Sequence, residues 1–149
     1  MKKILSIYLN SFKGLSQSAW LLAVVMLINR MGSMVIPFLG VYTTKALNFS
    51  IDQVGIILMC FGCGSVCGSY FGGWLTDKFG SFKVQLFSLI LATPLFLISP
   101  YFKTVESLGI MIFILSAVCD AFRPANSVSV TNYAKPENLT KAFSLNRLA

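Results

Sequence analysis

Gly73-Trp74-Leu75-Thr76-Asp77-Lys78-Phe79-Gly80-Ser81-Phe82-Lys83 decides the reading of this chain, because it joins two long hydrophobic runs through a short charged turn. Residues 53 to 76 carry no charge, and neither do residues 84 to 102. Each run is long enough to supply the roughly 20 apolar residues that cross a bilayer core, and soluble helices rarely stay uncharged for that distance. A turn of this kind belongs between two membrane helices. The composition agrees: 56% hydrophobic and 11% charged residues, with a mean hydropathy of +0.76, point to a membrane protein rather than a globular domain with one apolar surface.

Working outward, the hydropathy pattern predicts helices over about 18–42, 54–76, 84–101 and 107–130, with a fifth starting near Leu139. Trp20 and Tyr42 fall near the two ends of the first span, where amphipathic rings settle at the membrane interface. Residues 1–17 form a separate segment. Ile4, Leu5, Tyr8, Leu9 and Phe12 share one helical face and Lys2, Lys3, Ser6 and Lys13 lie mostly on the other, as in a helix lying in the interface. A secretory signal is disfavoured, because Ser6, Asn10 and Ser11 interrupt the apolar run and no convincing cleavage site follows.

The loops orient the chain. Lys2, Lys3, Lys13, Lys78, Lys83, Lys135, Lys141 and Arg147 fall on one side, and Lys45 and Lys103 on the other. The positive-inside rule makes the first side cytoplasmic, so a bacterial cytoplasmic (inner) membrane with a cytoplasmic N-terminus is expected. The net charge of +7 is thereby explained by topology, and nucleic acid is not an expected partner, since the basic residues form no stripe. Cys60, Cys63, Cys67 and Cys119 all lie in predicted helices and make no disulfide framework. The first three share a face at i, i+3, i+7, the geometry of a soft-metal site, but among Gly62, Gly64 and Gly68 they read as small packing residues and no metal is expected.

Several residues could carry chemistry. Gly64, Gly68 and Gly72, four apart, clear one stripe of the second span for close approach of a neighbouring helix. Such a stripe packs helices, and it is also a surface on which helices can slide. Arg30 is the sharpest signal, because a guanidinium deep in a membrane helix costs about 2.5–3.5 kcal/mol on insertion scales and must face protein or water. It is either a structural arginine or part of a substrate or ion pathway, with Asn29 and Ser33 beside it. Asp120, Arg123 and Ser127 project from one face of the fourth span. Asp120 can pair locally with Arg123 or reach Arg30, which lies about two turns away in depth at ~1.5 Å per residue. A buried carboxylate with an arginine partner suits a proton or cation site and equally a static ion pair. In the turn, Asp77 and Gly80 are tight-turn residues, and Asp77 is a candidate cap for the following helix.

The run from Gly72 to Lys83 resembles the signature loop between the second and third helices of the major facilitator superfamily of secondary transporters. Gly73, Leu75, Asp77, Lys78 and Gly80 match its pattern, while Ser81 and Phe82 stand at two usually basic positions and Lys83 follows them. Ile28-Asn29-Arg30-Met31-Gly32 with Pro37-Phe38-Leu39 and Tyr42, and Arg123-Pro124-Ala125-Asn126, are similar to stretches of the drug-efflux branch. Residues 142–149 look like the opening of the fifth helix.

The resemblance implies an all-α membrane protein holding the first four transmembrane helices, plus the start of a fifth, of an N-terminal six-helix bundle, about the first third of a family member. It implies proton-coupled export of small amphipathic or drug-like compounds by alternating access, with Asn29, Arg30, Ser33, Asp120, Arg123 and Asn126 as pathway candidates and Gly73, Asp77, Lys78 and Gly80 as a conformational gate. Expected partners are the lipid bilayer, a small-molecule substrate and the C-terminal helices of a longer parent. No cofactor is expected, the proton gradient being the energy source. A self-contained four-helix exporter acting as an oligomer is the rival; its usual carboxylate in the first helix is missing and the charge bias is strong. A non-transporting membrane scaffold is a further alternative. A membrane enzyme fits less well, with no histidine and no nucleophile paired with a base.

Overall fold

A computed structural model describes residues 15–134 and 136–148, without the side chains of Ser33, Val35, Ile36, Pro37 and Pro136. The interfacial segment expected over 1–17 lies almost wholly outside the described residues. Helices α1 (Gln17–Ser33), α2 (Val35–Lys45), α3 (Ile51–Phe79), α4 (Ser81–Ile98), α5 (Val105–Tyr133) and α6 (Leu139–Leu148) make up the fold, with short 3-10 turns at Ser99–Tyr101 and Pro136–Asn138. Three stretches, Ile51–Phe79, Ser81–Tyr101 and Val105–Tyr133, are long and apolar enough to cross a membrane. Apolar side chains such as Val66, Phe87 and Ile110 are exposed along their outer faces, as in a bundle whose solvent is lipid.

The first span differs from expectation: a single helix over 18–42 is replaced by α1 and α2, which meet at Met34. Pro37 accounts for the break. A proline nitrogen carries no hydrogen to donate to the preceding turn, but in the first turn of a new helix that donor has no intrahelical partner anyway. Local chemistry sets the other ends. Ser50 and Gln53 form a capping box at the start of α3, with reciprocal bonds of 3.3 and 2.9 Å. Thr104 caps α5 through the Ser107 amide. Ser16 caps α1 and also donates to the Tyr133 carbonyl at 3.1 Å, tying the start of α1 to the end of α5 at one face of the bundle.

The charged turn is tighter than its sequence suggests. α3 runs through Phe79 and α4 begins at Ser81, so Gly80 alone makes the reversal, at φ 88° and ψ 150°. That backbone conformation is essentially open to glycine only. Asp77 does not cap α4: it sits in the last turn of α3, and the N-cap position belongs to Gly80, which has no side chain to offer. A one-residue turn leaves no room for a separate capping segment.

α5 is the central helix, packed against α3 and α4 on one side and α1 and α6 on the other. Gly64, Gly68 and Gly72 lie directly on its backbone. A Cβ added at Gly64 would collide with the Phe113 carbonyl and Ser116 Oγ, at Gly68 it would lie 2.6 Å from Ala117 Cα, and at Gly72 2.5 Å from Ala121 Cα. Ser116 Oγ then reaches across to donate to the Phe61 carbonyl at 3.0 Å. Apolar clusters close both ends: Leu39, Ile57, Leu108, Ile112 and Leu115 join α2, α3 and α5, while Ala19, Val130, Ala134 and Ala142 join α1, α5 and α6.

Candidate functional site

The charged centre of the bundle is built on α5. Asp120 is buried at 5% exposure and accepts from Arg123 Nε at 2.8 Å, one turn along the same helix, while the Arg123 side chain is largely exposed. Pro124 follows directly and has no N–H to donate to the Asp120 carbonyl, so the helix ladder is interrupted where the ion pair sits. A carboxylate enclosed by protein and paired with an arginine that reaches outward leaves that guanidinium accessible to a ligand on the exposed side.

Arg30 lies on a different contact. Its guanidinium donates to the backbone carbonyl of Arg147 on α6 at 3.1 Å. Arg147 therefore stands two turns inside α6, beside Arg30, and is not the loop charge its sequence position suggests; the other seven lysines expected on that side still outweigh Lys45 and Lys103. Asp120 takes the local partner of the two that its sequence position offered. Asn29 is half-buried next to Arg30. Ser33 closes α1, and its side chain lies outside the described residues.

Asn126 is 1% exposed, and its Nδ2 donates to Asn146 Oδ1 on α6 at 2.9 Å. Its own Oδ1 is buried without a donor among the described residues. One turn further, Ser129 Oγ accepts from Gln85 Nε2 of α4 at 2.6 Å, and the same amide reaches the Ala125 carbonyl at 3.1 Å. Asn126 and Ser129 thus tie α5 to α6 and to α4. Gln85, Ser129 and Asn146 carry no sequence signal beyond being polar residues in apolar surroundings; that alone marks them as needing buried partners.

At the turn, Gly73 has open space where a side chain would stand, and Asp77 is exposed. Lys78 folds back so that Nζ lies 4.9 Å from the centre of the Trp74 ring and 5.6 Å from that of Phe79. Cys60, Cys63 and Cys67 part ways: Cys60 Sγ packs where Gly109 leaves space, and Cys63 is exposed.

An apolar bundle of spanning helices, whose central helix carries a buried carboxylate paired with an arginine that reaches outward, defines a multi-pass membrane protein. The sequence profile of the Major Facilitator Superfamily matches residues 19–149, and the chain belongs to that family, one of membrane transporters rather than enzymes. Among curated proteins it is similar to the uncharacterized MFS-type transporter YqjV of Bacillus subtilis, at 23% identity over 141 residues, covering 92% of this chain and 34% of YqjV. It is also similar to the uncharacterized MFS-type transporter YceJ of the same organism, at 28% identity over 65 residues, covering 44% of this chain and 17% of YceJ. The chain thus spans about a third of YqjV's length. No solved structure matches it significantly.

Proposed function

We propose that this chain forms the N-terminal part of a proton-coupled secondary transporter that exports small amphipathic compounds by alternating access. The observation that carries the reading is the Asp120–Arg123 pair, with a buried carboxylate, an exposed guanidinium and Pro124 interrupting the helix between them and the next turn. In this reading Asp120 binds the proton, and protonation frees Arg123 for the substrate or for the remaining helices. Arg30, held on α6, fixes the first span against the fifth. The lysine-rich side is cytoplasmic, and the Asp77 turn is a gate that contacts the other half of the transporter in one conformation.

The experiment uses the full-length gene product in proteoliposomes, with an imposed pH gradient and a fluorescent amphipathic dye as substrate. Asp120→Asn is expected to lose gradient-driven dye movement at least tenfold while dye binding persists, and Asp77→Asn to shift the balance of inward and outward accessibility without abolishing binding. Gradient-driven transport that survives Asp120→Asn unchanged would sink the coupling role.

A further inference from the structure

A groove of about 580 Å³ runs between α3 and α4 with the small residue Ala117 of α5 in its floor. It exists because Gly68 and Gly72 draw α5 up against α3, leaving a shallow floor between flanking rings such as Phe71. Its walls are apolar apart from the Ser88 hydroxyl and one charged residue, Lys83. On α3 it extends from Cys67 to Phe79, roughly 18 Å at ~1.5 Å per residue, and on α4 from Lys83 to Leu91, roughly 12 Å. Half of a bilayer core about 30 Å thick is ~15 Å, so the groove is one leaflet deep. Lys83 stands at its open end, beside the turn where Lys78 lies over Trp74, the aromatic and basic pairing that marks headgroup level.

The size limits the occupant. A spanning helix about 30 Å long and ~10 Å across fills on the order of 2,400 Å³, several times what the groove holds, so a helix could lay only one face over it and would not fill it. A hydrocarbon chain is narrow enough, and one leaflet is its length. Lys83 makes no ion pair among the described residues, and its ammonium is placed to meet an anion at headgroup level. We propose that this groove binds one acyl chain of an anionic phospholipid of the cytoplasmic leaflet, with the headgroup phosphate held by Lys83. The leaflet assignment rests on the orientation proposed above; the binding itself depends on neither that orientation nor transport.

The test uses the full-length gene product in phosphatidylcholine nanodiscs containing a minority of phosphatidylglycerol with a photoreactive acyl chain, and maps the adducts by mass spectrometry. Both leaflets carry the probe, so a reversed orientation leaves the result intact, and the leaflet is read separately from labelling of Lys78 by an impermeant amine reagent in sealed cells. Adducts are expected along 67–79 and 83–91 of the groove. Lys83→Gln is expected to lower the preference for phosphatidylglycerol over photoreactive phosphatidylcholine about fivefold, the equivalent of ~1 kcal/mol for one lysine near the surface. Leu91→Trp, filling the deep end, is expected to reduce labelling by both lipids, whereas Ile90→Trp, exposed but outside the groove, leaves it unchanged. Equal labelling by the two lipids with Lys83 intact would overturn headgroup recognition. A groove left unlabelled while the Ile90 face is labelled would mean that another part of the chain covers it.

Discussion

The seam between α3 and α5 and the junction of α5 with α6 hold helices together by opposite means. At the seam, Gly64, Gly68 and Gly72 strip away side chains until one backbone lies on another, and the attraction is van der Waals contact over the length of the interface. At the junction, single polar contacts set the register: Asn126 bonds Asn146, and Arg30 of α1 bonds the Arg147 carbonyl. The seam has no tolerance for added volume and no dependence on charge. The junction adds directional polar bonds to the apolar cluster of Ala19, Val130, Ala134 and Ala142.

Substitutions can break that comparison. Gly68→Val should do the most damage, about 3 kcal/mol or more, because the new atoms meet the Ala117 backbone, which cannot rotate away; Gly62→Ala, with nothing within 4 Å, should stay within ~0.5 kcal/mol. Thermal unfolding in detergent compares the two directly, and equal losses would refute the seam as described. Gly80→Ala should cost about 1–3 kcal/mol, since φ 88° with ψ 150° is closed to a side chain. An unchanged melting temperature for that variant would show that the turn relaxes. The smallest effect is expected at the junction, where Asn126→Leu should cost about 1 kcal/mol and Asn146→Leu should add little on top of it, as a double-mutant cycle would measure. Additive losses there would mean that the two amides do not act as a pair.

Much of the seam was legible in the sequence. Glycines four apart on an uncharged run can only clear a stripe on one helical face, and the Gly73–Lys83 turn announced its two flanking spans. The break at Met34 was readable in principle from Pro37, since proline belongs in a first turn, but uninterrupted hydropathy hid it. The site was half legible. Asp120 and Arg123 at i, i+3 were a pair by spacing alone. The partners of Arg30, Asn126 and Gln85 were not, because each sits on another helix and depth along the bilayer says nothing of rotation about the helix axis.

By itself, then, the sequence determined that this chain partitions into lipid, where it turns and which face of α3 is bare, because those follow from local hydropathy, charge and side-chain size. Only the tertiary structure decided which helix covers the bare face, that Asp120 takes Arg123 while Arg30 goes to α6, and that a groove one leaflet deep opens beside Lys83. Those outcomes depend on several helices choosing mutual rotation and distance together, and that choice is made by packing across long sequence separations rather than by any single segment.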